Sequence, residues 1–298
     1  MGNDVDILGD GEYNYTYLRQ QINSGGDIIL AKGNYTYAES DGDTIEITTS
    51  CVIDGNGAVI DMAKSGHRAF YITTAGVTIK NLTIKNANYK GNGGAIRFSQ
   101  SGTVENCNFI NNTANEDGGA VFFWDEGNVR NCNFTNNKAA GNFSCGGAVY
   151  FRGDCNVTNC NFANNKATNG GAVYFYDDCN VTNCNFTNNE AVGNWGGAVY
   201  FEDGSKVTNC SFTGNKAVIG SAIYFYKFLP TDTLTISNSI FLNNRANAKD
   251  LQVTRNEKII TITFTGQNNL LNAIYSRDDA EVTFTNVTYW GANGISNT

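Results

Sequence analysis

The sequence predicts an all-β fold, a right-handed, single-stranded parallel β-helix with a short N-terminal capping helix, on three observations. First, a glycine doublet recurs at Gly93-Gly94-Ala95-Ile96, Gly118-Gly119-Ala120-Val121, Gly146-Gly147-Ala148-Val149, Gly170-Gly171-Ala172-Val173 and Gly196-Gly197-Ala198-Val199, with a worn copy at Gly220-Ser221-Ala222-Ile223. Second, a phenylalanine followed three residues later by asparagine keeps step with it, at Phe109/Asn112, Phe134/Asn137, Phe162/Asn165, Phe186/Asn189, Phe212/Asn215 and Phe241/Asn244. Third, no segment of the repeat carries the three-to-four spacing of an amphipathic helix. A short unit repeated this way means stacked supersecondary pieces, none of which buries its apolar side alone.

One repeat reads as three short strands. Val157-Thr158 alternates, Asn159 interrupts, Cys160-Asn161-Phe162 alternates again, Asn164-Asn165 breaks the run, and Gly171-Ala172-Val173-Tyr174-Phe175 follows a loop. Asparagine suits the corners because it tolerates a left-handed backbone. Alternation then assigns faces. Ile96, Val121, Val149, Val173, Val199 and Ile223 point inward, with Phe98, Phe123, Phe151, Phe175, Phe201 and Phe225 two residues on. The intervening column, Arg97, Phe122, Tyr150, Tyr174, Tyr200 and Tyr224, points outward, because an unpaired arginine does not sit inside a core. On that reading Tyr174→Ala costs under about 1 kcal/mol, a cross-strand pairing value.

The ends are less regular. Tyr17, Leu18 and Ile22 predict a helix over Tyr15–Asn23 that covers the open end of the stack, which otherwise exposes apolar side chains and unpaired backbone. Residues 1–50 form this cap and the first strands, 51–245 the regular rungs, and 246–298 the C-terminal rungs, with strands expected at 259–264 and 282–284. A single Pro230 and no charge runs argue for one domain without a linker. The loop before the glycine doublet varies most and is longest over 138–145.

Net charge of −8 and a pI near 4.7 leave no basic stripe, so nucleic acid is not an expected partner. No apolar run reaches membrane-spanning length, so this segment is not expected to insert in a membrane. Five of the nine cysteines, Cys107, Cys132, Cys160, Cys184 and Cys210, share one repeat position and are expected as a column of buried free thiols. Cys155 and Cys179 form a second column nearer the surface, open to oxidation.

The outward aromatic column is the candidate binding surface: flat rings in a row stack on sugars or meet a partner protein. Structural cross-strand stacking explains the same pattern. Beside it runs an acidic turn, Asp125-Glu126, Asp154, Asp177-Asp178 and Glu202-Asp203, that either recruits Ca²⁺ or keeps the rod soluble. Beyond that Ca²⁺ reading no cofactor is implied. Asn14, Asn34, Asn142, Asn185 and Asn286 begin glycan-acceptor triplets. Catalysis by a carbohydrate-active enzyme, a lyase or hydrolase, is the alternative. The acidic residues recur one per rung as a turn would, and no rung departs to supply an acid, a base and a cation together.

The Gly-Gly-Ala-[Ile/Val] and Phe-x-x-Asn marks resemble the repeats of chlamydial polymorphic membrane proteins. The fuller pattern, with Val52-Ile53-Asp54-Gly55-Asn56-Gly57 before it and Thr288-Tyr289-Trp290-Gly291-Ala292 after it, resembles adhesin-like proteins of methanogenic archaea, which are pectin-lyase-like solenoids. The resemblance implies an extracellular, cell-surface adhesin-like module, excised from a longer surface protein, that attaches to surface glycans or proteins. A passive stalk is a third reading. It carries over no catalytic residue.

Overall fold

The computed structural model describes residues 7–9, 11–23, 25–226, 233–246, 274–276, 281–285 and 288–290. They form a right-handed parallel β-solenoid whose strands stack in register into four sheets of ten, twelve, seven and nine strands. One rung runs Cys155–Thr158, Asn161–Ala163, Lys166–Ala167 and Val173–Phe175. The third of these is a two-residue strand with no counterpart in the sequence reading, because two residues carry no alternation to detect. The expected C-terminal strand at 282–284 falls within Glu281–Thr285, whereas 259–264 lies outside the described residues.

The corners are made by asparagine. Asn159 and Asn164 hold φ of 55° and 57°, and the equivalent asparagines of the other regular rungs do the same. A short polar side chain makes this left-handed conformation tolerable at two corners per turn. The glycine doublet has a different cause at each position. Gly170 needs its φ of +58°, while a Cβ on Gly171 would meet the Gly197 carbonyl oxygen at 2.1 Å.

The asparagine of each Phe-x-x-Asn mark turns inward and is buried. Asn165 donates from Nδ2 to the Phe134 carbonyl at 3.0 Å and to Asn189 Oδ1 at 3.0 Å. Its own Oδ1 accepts from the Asn137 backbone N–H at 2.9 Å and from Asn137 Nδ2 at 3.1 Å. The chain of amides continues through Asn112, Asn137, Asn165, Asn189, Asn215 and Asn244. A buried amide without partners is costly, and here the next rung supplies them.

Around this ladder the apolar columns close as expected. Phe162 stacks between Phe134 and Phe186, each with centroids 4.9 Å away. The cysteine column is buried and free: Cys160 donates from Sγ to the Thr158 carbonyl at 3.2 Å and its N–H meets Cys184 Sγ. Cys155 and Cys179 are joined in a disulfide and are buried, not near the surface as the sequence suggested, because both start inward-facing strands. At the N-terminal end the helix Tyr15–Asn23 lies where the sequence placed it. Asn14 Oδ1 caps it by accepting from the Tyr17 N–H at 2.7 Å, and Tyr15, Leu18 and Ile22 cover the first rungs.

Two predictions follow from this packing. Asn161 and Asn165 lie four residues apart, both in amide ladders, but one is exposed and one buried. Asn165→Ala, which strands several buried groups, costs at least about 3 kcal/mol and Asn161→Ala under about 1 kcal/mol, read as urea-midpoint shifts. Equal costs would mean the inner ladder is not a structural bond network. In denaturant without reductant, thiol titration returns the seven free cysteines, with the pair 155/179 appearing only after reduction.

Candidate functional site

The strands that follow the glycine doublets form the nine-stranded sheet, and its outer face carries the expected column. Arg97, Phe122, Tyr150, Tyr174, Tyr200 and Tyr224 are in register and turn away from the core. The expectation of an open aromatic surface does not hold. Phe122 is 2%, Tyr174 9%, Tyr200 7% and Tyr224 3% exposed. Rings at rung spacing cover one another's faces, with Tyr150–Tyr174 and Tyr174–Tyr200 centroids at 5.0 and 4.5 Å. Cys145, Trp195 and Ile219, ahead of their glycines, and Tyr226 close the flanks. The column is a second, smaller hydrophobic core, reached from solvent mainly at half-buried Arg97 and Tyr150.

What meets solvent is the pair of columns flanking the ladder, and neither repeats. Before the glycines stand Asn92, Asp117, Cys145, Asn169, Trp195 and Ile219; after the strands stand Ser99, Trp124, Arg152, Tyr176, Glu202 and Tyr226. Trp124 is 46% and Tyr176 41% exposed, and Phe143 in the long loop is 89% exposed. The Arg152 guanidinium lies 3.9 Å over the Trp124 ring. The acidic turn contributes Glu202, which accepts a hydrogen bond from the Tyr174 hydroxyl. Among the described residues no three of its carboxylates converge in a metal-holding group. Of the glycan-acceptor asparagines, Asn34, Asn142 and Asn185 are exposed, and Asn286 lies outside the described residues.

Burial raises several carboxyl groups here. Asp117 is pushed up to about 6 by burial, although its Oδ1 accepts the Cys145 N–H at 2.8 Å. Burial also raises Glu202, against the stabilising hydrogen bond from Tyr174. Asp177 rises through burial and then through its neighbours Asp154 and Asp178. Cys145 is pushed up to about 12, by burial first and Asp117 second, so it is no nucleophile. The sequence concealed Asp117, because it stands in a column where asparagine, cysteine and tryptophan are equally at home.

At the N-terminal end of the ladder the aromatic order gives way to arginine. Arg97 stacks between Tyr71 and Phe122, its guanidinium carbon 5.5 and 5.8 Å from their centroids, and its Nε is buried without a hydrogen-bond partner. Arg68, only 4% exposed, lies 3.8 Å from the Tyr89 centroid and 5.6 Å from that of Tyr71. Burial, and then repulsion from Arg97, lower Arg68 to about 10, and Tyr89 opposes the shift. Among the described residues neither arginine has a carboxylate in ion-pair range. Ring contacts supply about 0.5–2 kcal/mol each. Burying an uncompensated charge costs several kcal/mol, so the rings alone do not offset it.

Two predictions test this geometry. Tyr174→Ala costs about 2–4 kcal/mol, a core value rather than a surface one, measured by urea unfolding. The fold favours the protonated form of Asp117, so its stability contribution is whole below about pH 4 and lost as pH rises through about 6. The stability of Asp117→Asn relative to the parent therefore grows from near zero at pH 4 to about 2–3 kcal/mol at pH 7. A difference independent of pH would contradict the assigned burial.

Comparison with known proteins bears on the fold. A search of curated proteins finds no match. The solved structure of Geobacillus virus E2 ORF18 is similar at 15% identity and a TM-score of 0.48, over 97% of this chain and 62% of that one. The chain thus spans less than two thirds of that protein's length. The family model described as "Right handed beta helix region" matches residues 22–193, 69–228 and 119–295. Together these matches span most of the sequence, and the chain belongs to the right-handed β-helix family.

Proposed function

We propose that this chain is an adhesin-like binding module of an extracellular cell surface, which attaches to a surface glycan or protein through the outer flank of its nine-stranded sheet. One observation carries the reading. Among the described residues the exposed large aromatics are Trp124, Phe143 and Tyr176; Trp124 and Tyr176 stand in the column that follows the ladder strands, and Phe143 in the loop that leads to Cys145 on the other flank. Exposed rings of this size grouped on one side of a rod are the usual currency of recognition, and stacking on sugar faces is what flat rings do well. The rod beneath them is rigid through its amide and phenylalanine ladders. The likeness of its repeats to adhesin-like proteins of methanogens and to chlamydial surface proteins supports the same reading.

A second reading, a carbohydrate-active enzyme, has its own observation. Asp117 and Glu202 beside the ladder both hold their protons above the ordinary carboxylate range, as a general acid does. The two readings separate experimentally. Replacing Trp124 and Tyr176 together by Ser leaves the fold intact and weakens attachment to cell-surface extracts or arrayed glycans roughly five- to hundredfold. Unchanged attachment would remove this flank from the account. Cleavage of an arrayed polysaccharide, lost in both Asp117→Asn and Glu202→Gln, would establish the enzyme instead.

A further inference from the structure

We infer that Arg68 and Arg97 form an oxyanion site, which holds the carboxylate or sulfate group of an acidic saccharide while its ring rests against Tyr71 and Tyr89. The identification of the ligand as a saccharide rests on the glycan reading above; the anion site rests on its own geometry. Both guanidinium carbons lie within 5.6 Å of the Tyr71 centroid, so two positive charges converge on one ring in a chain of net charge −8. Arg68 is nine-tenths buried or more, and the Nε of Arg97 is buried without an acceptor. After burial, the groups that act most strongly on Arg68 are Tyr89, which also hydrogen-bonds it, then Arg97 and Tyr71. Glu46, on the rung beyond Tyr71, is exposed and makes no ion pair with either arginine.

The two side chains supply the donors an oxyanion needs. A guanidinium offers its donors in a fixed fork that matches carboxylate or sulfate oxygens, and two of them side by side offer a pair of forks. Gly91 leaves the approach open: a Cβ there would meet the Tyr89 ring at 3.0 Å and the Arg68 Nη2 at 3.8 Å. Tyr71 and Tyr89 are half-buried, so part of each side chain is open to solvent, and Lys90 beside them is exposed. Arg97 stands between Tyr71 and Phe122 in a column of rings, so the ladder gives up ring-on-ring stacking at this rung.

Titration calorimetry of the full chain tests the inference with four probes: a hyaluronan oligosaccharide, a chondroitin sulfate oligosaccharide, a neutral chitooligosaccharide and inorganic sulfate. The acidic oligosaccharides bind the parent, more weakly as salt is raised, and Arg97→Gln weakens them about tenfold or more. Arg97→Lys restores part of the affinity, and Arg130→Gln, removed from the site, changes nothing. Preference for the sulfated over the unsulfated chain assigns the anion as sulfate; equal binding assigns it as carboxylate. Equal affinity of parent and Arg97→Gln for the acidic oligosaccharides overturns the proposal. Tighter binding of the neutral chain overturns it too, while leaving the glycan reading standing. Binding of inorganic sulfate alone, lost in Arg97→Gln, overturns the saccharide assignment and, with it, the glycan reading at this end of the rod.

Discussion

Each regular rung of this rod turns a corner with a carboxamide inside its hydrophobic core, and that carboxamide is satisfied by its twins on the adjoining rungs and by a phenylalanine carbonyl. Asn165 gives one N–H to the carbonyl of Phe134, the other to Asn189, and receives two from Asn137. The bond scheme requires identity as well as polarity: a ladder of donors and acceptors closes only if every step has the same shape. Register follows from it, because a slip of one residue would bring exposed Asn164 or half-buried Lys166 into the place of Asn165. The phenylalanine stacks and the thiol column are then set at rung spacing by the same constraint.

That constraint divides the molecule into a part that must repeat and a part that need not. The inward strand positions stay apolar, and the second glycine of the doublet gives way only at Ser221, in the last copy: Gly171 has a neighbouring carbonyl where its Cβ would be. On the outer face and flanks of the nine-stranded sheet sameness is not enforced, and there the chain places Asp117, Trp124, Arg152, Tyr176, Glu202 and the arginine pair. Function on a solenoid is written in what departs from the repeat, while the repeat holds those departures at fixed spacing.

The division also explains what was legible in the sequence. Period, strand faces and buried thiols were readable, since each leaves a mark once per rung, and the capping helix was readable from Tyr17, Leu18 and Ile22. The inward turn of Asn165 was not, because asparagine at a corner already had a sufficient explanation in its backbone conformation. The Tyr174 column was assigned to the correct side of the strand yet misjudged as open. Its cover comes from Cys145, Trp195 and Ile219, residues brought over it by loops of unequal length. Arg68 lies before the regular repeat, so no periodic signal links it to Arg97. Only stacked rungs bring the two to the same tyrosine.

Proton exchange at the side-chain amides addresses the ladder most directly. In a ¹H–¹⁵N spectrum the Nδ2 protons of Asn137, Asn165, Asn189 and Asn215 should exchange with solvent as slowly as the backbone amides of the phenylalanine strands. Those of exposed Asn161 and Asn185, bonded to each other outside the rod, should exchange rapidly. Rapid exchange of the buried set, at the rate of the exposed one, would contradict an amide ladder as the constraint on which the fold depends.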